Sequence, residues 1–465
     1  MNHSPTIIIG AGPAGLTAAY QLVKRNIRPI VIEKSNQVGG LARTEDYKGY
    51  RFDIGGHRFF THLQEVEQLW EEVLGEEFIK VARLSRIYYQ GRYFNYPLNI
   101  FNTLSNLGIV ESLLILLSYF KAKLWPHPEE KTFEHWVINR FGQRLYQKFF
   151  KTYTEKVWGI LCTTIQADWA AQRIKGLSLK TVVSNALFSN NHNRAKTLIH
   201  EFHYPVLGPG IMWQRFQELV EGQGGVTHLN SEVVRFKLKG NRIQEVSLIQ
   251  GEKTIGIPGE NFFSSIPLTE LIFRLDPPAP NEVLVAAHHL TYRSFVLVGL
   301  IINRGDLFPD QWIYVHSPEV KVGRIQNFRN WSPKMVPDPK KTSLGMEYFC
   351  TEGDEIWRMP DTELLELAKR ELVHLGMAEA AEVEDGVVYR QPKAYPVYNN
   401  DYQQHLQVIQ RFLVTIENLQ TIGRNGLHRY NNQDHSMFTG MLAVENILGA
   451  NHDLWELNKN QEYLE

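Results

Sequence analysis

The chain has 465 residues, 43% of them hydrophobic, and its 49 basic and 50 acidic side chains leave a net charge of −1. That length suggests two or three domains with ample apolar material for their cores. The balanced charge excludes a global field for nucleic acid or an anionic membrane, so any anion must be held by local arginines. The two cysteines, Cys162 and Cys350, exclude a disulfide framework or zinc ribbon and lead us to expect a reducing, cytoplasmic setting and no metal site.

The opening MNHSPTIIIG lacks the charged and long apolar regions of a secretory leader. TIIIGAGPAGLTAAYQL then predicts a strand, a tight turn and a helix. Gly10 makes the turn, Gly12 lets backbone approach a pyrophosphate, and Gly15 lets helix and strand pack closely. Pro13 and Ala14 open the helix, whose N-terminus offers N–H groups and positive dipole to phosphate. RPIVIEK reads as a second parallel strand ending at Glu33, placed to accept both ribose hydroxyls of an adenosine, with Lys34 beside it.

VGGLART follows, then FDIGGH. The pair Gly39 and Gly40 with Leu41, Ala42 and Arg43 resembles the signature of the glutathione-reductase-type FAD family. The resemblance implies FAD as cofactor, with these residues continuing along its pyrophosphate. Gly55 and Gly56 allow backbone to approach a ring system, and His57 puts an imidazole there.

IYYQGRYFNYPL, from Ile87 to Leu98, predicts a hairpin around Gln90 and Gly91. Residues 100 to 200 carry helical periodicity. Within them SLLILLSYF is too short to span a bilayer, so we expect a buried helix and no transmembrane segment. FHYPVLGPGIMW reads as loop then helix, and residues 230 to 267 as alternating strands, with turns at Lys239-Gly240 and Gly251, that return through FFSSIP to the parallel sheet. Val233 joins the expected cofactor-binding set. Strands dominate from 288 to 350, a helix is predicted from Asp361 to Leu375, and the end reads as strand, polar loop and helix with its cap at Asp434 to Ser436.

The expected fold class is therefore α/β. A Rossmann-like FAD-binding domain (1–86, 206–275 and 415–465) carries an inserted helical domain (100–205) and an antiparallel β-sheet domain (87–99 and 276–414). In this FAD class the last helix points its N-terminus, here Asn432, Gln433 and Ser436, at the flavin pyrimidine, whose O2 gains negative charge on reduction.

GRNGLHRYNNQDHSMFTGMLAVENI, FDIGGH and TEKVWGILCTTIQADWAAQRI keep the order and spacing of motifs in the eukaryotic-type UDP-galactopyranose mutases, and the chain resembles that family over most of its length. The resemblance implies interconversion of pyranose and furanose forms of a nucleoside-diphosphate sugar, with reduced flavin N5 attacking the anomeric carbon without net redox. It implies NADPH or NADH as a transient reductant visiting the same cleft. It places Arg173 and Arg324 as the diphosphate clamp, Tyr314, Tyr395 and Tyr430 on the phosphates, and Phe149, Trp158 and Tyr96 around the base. It puts Arg424 near flavin and sugar, and His57 beside the flavin. His428 and His435 are expected to be structural.

The chain departs from the family pattern at Asn99, where glutamine is usual, at Thr154, where asparagine is usual, at Ile199, and in a shorter GPGIMW segment. Base and sugar therefore stay open, as does oligomeric state, homo-oligomers included. Two other readings also remain: an FAD-dependent oxidoreductase of the amine oxidase, protoporphyrinogen oxidase or desaturase type, and an FAD-stabilised binding protein without turnover.

Overall fold

The computed structural model describes residues 5–96, 98, 100–167 and 201–457. Asn99, Arg173 and Ile199 lie outside the described residues.

Five short strands form a parallel sheet in the order Leu419–Thr421, Asn261–Ser264, Thr6–Ile9, Ile30–Ile32, Val226–His228. The two apolar runs at its centre, TIII and IVI, have no polar face because helices cover both sides of such a sheet. On one side the helices Pro13–Val23, Gly210–Gly222 and Gln433–Ile447 share a core with Ile8 and Val31. On the other, a four-stranded sheet (Lys253–Pro258, Arg242–Gln250, Ser231–Lys239, Leu275–Asp276) and the helices Asn281–His289 and Tyr402–Leu413 pack on Ile7, Ile9 and Ile32. The strand order reverses direction at Thr6–Ile9, so the crevice beyond its C-terminal end is the place where such folds take a ligand.

The second large sheet has seven strands, ordered Val383–Pro396, Tyr292–Ile302, Thr342–Cys350, Arg324–Asn327, Trp312–Val315, Ser85–Tyr89 and Arg92–Asn95. Its pairings are antiparallel except where Trp312–Val315 runs parallel to Ser85–Tyr89. The helical segments Phe133–Phe141 and Thr152–Trp158 share one core with it through Trp136, Phe149, Phe295 and Trp312, so helical unit and sheet are not separable bodies. Thr132 caps the first of these helices, its hydroxyl accepting from His135 N at 3.3 Å. One turn of π-helix, Tyr146–Lys151, joins the two.

Four expectations need correction. The apolar stretch from Ser112 to Phe120 lies in the helix Ile109–Leu124, which is not buried: Leu113, Leu117 and Phe120 are 56%, 65% and 58% exposed. Its buried residues are Ser112, Ile115 and Ala122, with Tyr119 packed against the core, because a helix covered on one side buries one stripe. FHYP is a strand, Glu201–Pro205, paired with Phe78–Ala82. The loop after Thr421 contains a helical turn, Gly423–Gly426. The last helix is capped at Asn432, two residues before Asp434, since Asn432 holds the extended backbone that a cap requires. Among the described residues no helix is long and apolar enough to cross a membrane.

Candidate functional site

At the crevice, Gly10 adopts φ +101°, and a Cβ on Gly15 would lie 1.9 Å from the Gly10 carbonyl oxygen. Turn and helix are thus locked against each other at a distance that only glycine permits. The helix Pro13–Val23 starts after Gly12 without a side-chain cap, with Pro13 in its first turn and Ala14 buried behind it. Glu33 is buried, and its two carboxylate oxygens accept from Ala11 N at 2.8 Å and Ser35 N at 2.9 Å. Each oxygen keeps lone pairs for a further donor. An uncapped helix end, a glycine cradle and a pinned carboxylate together fit the diphosphate and ribose of FAD.

Some residues expected at this end have contacts within the protein or lie at its surface. Arg43 is engaged by the protein itself: Nε donates to Glu45 at 2.6 Å and Nη1 to Gln391 Oε1 at 2.6 Å and Gly40 O at 3.0 Å. Val233 points into the core, and its carbonyl accepts from Arg274 at 2.6 Å. Lys34 is exposed. Ser436 sits one turn inside the last helix with its N–H already bonded to Asn432 O at 3.0 Å, so the open end of that helix is at Gln433 rather than at Ser436.

Next to this crevice lies a cavity with about 880 Å³ of empty volume, part of it open to solvent. The first glycine loop after the cradle contributes Leu41, and Gly55, Gly56, His57 and Arg58 form one wall. Phe295, Trp312, Arg324 and Tyr395 come from the seven-stranded sheet, while Arg424, Tyr430, Asn432, Gln433 and Asp434 come from the C-terminal segment. The expected residues His57, Arg324, Tyr395, Tyr430, Arg424, Asn432 and Gln433 are therefore brought together from positions far apart in the chain. The buried Gln433 Oε1 has no hydrogen-bond partner among the described residues.

His57 Nε2 lies 2.8 Å from both Leu41 O and Ile54 O. Two acceptors at one nitrogen assign the proton to Nε2 and leave Nδ1 as an acceptor. Burial, with the guanidinium groups of Arg424 and Arg324 nearby, pushes the imidazole down to about 4, against the upward pull of its backbone hydrogen bonds. It is neutral at pH 7 and staples the two glycine loops together.

Arg324 is almost wholly buried. Its Nη2 reaches Glu347 at 2.5 Å and donates to the Tyr395 hydroxyl at 2.6 Å. Burial works against its charge, but the fully buried Glu347 carboxylate overrides that and holds the guanidinium well above its usual range. Glu347 is fixed from behind by Gln326 Nε2 at 2.7 Å. Arg424 donates to Asn431 O at 2.8 Å and Ala394 O at 3.2 Å, and lies over the Tyr430 ring at 4.5 Å. Tyr395 and Tyr430 stack with centroids 5.7 Å apart, and Trp158 closes the group at 6.2 Å from the former. Burial pushes the Tyr395 hydroxyl up to about 12, opposed by Arg324.

Tyr314 and Tyr96 form a neighbouring aromatic group, their rings 4.5 Å apart, with Trp312 at 5.5 Å from Tyr314 joining it to the cavity. Phe149 packs on Phe94 at 5.0 Å and is buried, as is Thr154. Both sit in the core beneath that group and do not line the cavity just described. His428 is a core residue held low, at about 4, by burial, and His435 lies 3.2 Å from Asp434.

A family model described as an NAD(P)-binding Rossmann-like domain matches residues 8–73. A relative from Klebsiella pneumoniae named "Probable UDP-galactopyranose mutase" is 25% identical over 168 residues, which is 34% of this chain and 42% of the relative. The chain thus matches less than half the length of that relative. The crystal structure of a reduced UDP-galactopyranose mutase superposes with a TM-score of 0.86 at 21% identity, covering 99% of this chain and 97% of that one. A putrescine oxidase bound to putrescine superposes with a TM-score of 0.63 at 17% identity, covering 96% and 99%. The fold is that of the FAD-binding mutases and oxidases. At these identities the likeness establishes architecture, and the choice between the two chemistries rests on the cavity.

Several residues of the cavity and of its support escaped the reading of the sequence. Arg58 was in plain view after His57, in GGHRFF, and its signal was adjacency to a glycine pair. Glu347 interrupts the apolar strand Thr342–Cys350, and an acid in such a strand signals a buried partner. Trp312, Phe295 and Asp434 gave no signal, since an aromatic on a strand is usually core and an Asp near a helix start is usually a cap.

Proposed function

We propose that this chain binds FAD with its reactive ring in the cavity and acts on a nucleoside-diphosphate sugar, interconverting its pyranose and furanose forms. The observation that carries the reading is electrostatic. Arg58, Arg324 and Arg424 line the cavity, together with the hydroxyl-bearing Tyr395 and Tyr430 and, among the described residues, only one carboxylate, Asp434. A diamine would be repelled there, and a carotenoid would leave guanidinium groups buried against hydrocarbon. A diphosphate answers both objections, since guanidinium forks bind phosphoryl oxygens in pairs and stay charged.

Gly10, Gly12, Pro13, Ala14, Gly15 and Glu33 would hold the adenosine and diphosphate of the cofactor, and Gly39 to Ala42 with Gly55, Gly56 and His57 its ring end. When bound and reduced, FAD supplies a nucleophilic nitrogen for an anomeric carbon without net electron transfer. The protein's part is to hold and orient the substrate. Arg324 is aimed by Glu347 and Tyr395, Arg424 by two backbone carbonyls, and their fixed geometry suits a leaving diphosphate whose charge grows as the bond to sugar breaks. Neutral His57 takes no proton at pH 7 and keeps the wall in place. Trp70, Phe295 and Trp312 make the remaining wall apolar and limit water. NADPH or NADH, as transient reductant, would enter by this same cavity.

The test is turnover by dithionite-reduced protein with UDP-, GDP- and dTDP-sugars in pyranose and furanose form, read by chromatography and NMR. Ring interconversion by reduced but not oxidised protein is expected. No conversion of any of them, together with oxygen consumption on an amine or polyene substrate, would transfer the chain to the oxidoreductase reading.

A further inference from the structure

The three arginines of the cavity are not equivalent. Arg324 is charge-compensated by Glu347 and tied to Tyr395. Arg424 is anchored on the carbonyls of Asn431 and Ala394. Arg58 has neither: among the described residues its Nη1 is buried with no hydrogen-bond partner, and its only packing contact of note is the Trp312 ring, 5.5 Å from the guanidinium carbon. The Arg324 guanidinium lies over the same indole, at 4.9 Å. Trp312 in turn presses the edge of its six-membered ring so close to Gly56 that a Cβ there would fall 1.5 Å from it. The indole thus meets the Gly56 backbone with its edge and both guanidinium groups with its ring.

We propose that Arg58 is the group that grips the phosphoryl oxygens of the substrate, forming with Arg324 a two-guanidinium clamp carried on Trp312. Charge distinguishes the two, since each guanidinium group keeps a buried nitrogen without a partner among the described residues, Nη1 in Arg58 and Nε in Arg324. Arg324 faces the cavity with its charge already offset by a fully buried carboxylate, so by itself it offers direction but little net attraction. Arg58 has no ion-pair partner among the described residues, and its buried Nη1 meets no acceptor there, which leaves its N–H groups for a ligand. The guanidinium carbons of both residues lie within 5.5 Å of one indole ring, so two cations share this part of the wall, which suits two linked phosphoryl groups better than a single carboxylate. The inference rests on the nucleoside-diphosphate reading and adds to it the residue that sets affinity for the diphosphate.

The experiment compares holoprotein with Arg58→Gln and Arg58→Lys, titrating the flavin spectrum with UDP, inorganic pyrophosphate and uridine at two salt concentrations. For Arg58→Gln the Kd of UDP and of pyrophosphate should rise roughly 10- to 100-fold, with a shallower salt dependence. Arg58→Lys should recover part of the loss, uridine should be unaffected, and FAD content and Tm should stay at wild-type values. If wild type binds UDP and Arg58→Gln binds it equally well, the inference fails while the proposed function stands. If Arg58→Gln loses FAD, Arg58 holds the cofactor and the inference also fails. If wild type binds UDP, GDP, dTDP and pyrophosphate not at all, the nucleoside-diphosphate reading itself falls, and this inference with it.

Discussion

The two ends of the proposed cofactor path are built on opposite plans. At the adenosine end a single acid, Glu33, and a set of backbone N–H groups come from one stretch, Gly10 to Ser35, and make their contacts with each other: Ala11 and Ser35 both donate to Glu33. At the cavity end the charges are cationic and come from segments hundreds of residues apart, as Arg58, Arg324 and Arg424 do. One end is fixed by local turn geometry, which tolerates little change in any residue. The other is fixed by a balance of buried charges, in which single changes leave a partner stranded.

The first plan breaks most sharply at Gly15. A Cβ there would meet the Gly10 carbonyl at 1.9 Å, and neither the strand nor the helix backbone has room to retreat. Gly15→Val should therefore abolish FAD retention and cost about 3 kcal/mol or more in stability, measured by flavin absorbance per chain and by denaturant unfolding. Normal flavin content in that variant would mean that the glycine turn does not position the cofactor.

The second plan breaks at Glu347. Removing it leaves the nearly buried Arg324 without its counter-charge. Glu347→Ala should destabilise by about 3 kcal/mol, while Glu347→Ala combined with Arg324→Met should recover much of that loss. The two variants separate an ion pair that matters through its balance from one that contributes two independent effects: strict additivity would exclude the balanced pair.

This contrast also explains what was legible in the sequence. The parallel sheet, the glycine cradle and Glu33 could be read because strand, turn and acid follow one another within local rules. His57, Arg324, Tyr395, Tyr430 and Arg424 could be placed only through resemblance, since nothing local says that an arginine on a short strand faces a cavity. The exposed helix Ile109–Leu124 was misread because apolar content along a sequence does not tell which stripe finds a partner. Arg58 and Glu347 were missed because one looks like an ordinary surface cation and the other like an irregularity in a strand. Their meaning appears only when the indole of Trp312 and the guanidinium of Arg324 are in place between them.

The smallest expected effect sharpens the comparison where the two plans meet, around Gly55 and Gly56. Asp53 lies buried on one side and His57 half-buried on the other, and their proton equilibria are displaced in ways that oppose each other in stability. Burial pushes the Asp53 carboxyl up to about 7, against hydrogen bonds from Tyr204 and Thr44. Folding then takes up a proton between the unfolded value near 3.8 and about 7, so this group lowers stability as pH rises through that window. His57 is displaced downward, from 6.5 to about 4, so folding releases a proton and stability is lost as pH falls from 6.5 toward 4. In wild type the two slopes offset one another over the shared range. Asp53→Asn should expose the histidine slope and make the protein more acid-sensitive between pH 6.5 and 4. His57→Gln should expose the aspartate slope and make stability rise as pH falls from 7. Each slope is bounded by about 1.4 kcal/mol per pH unit for one proton, and denaturant midpoints taken at half-unit pH intervals resolve it. If the two variants change the pH dependence in the same direction, the junction does not hold the opposed pair described here, and the imidazole at this wall is charged where the geometry makes it neutral.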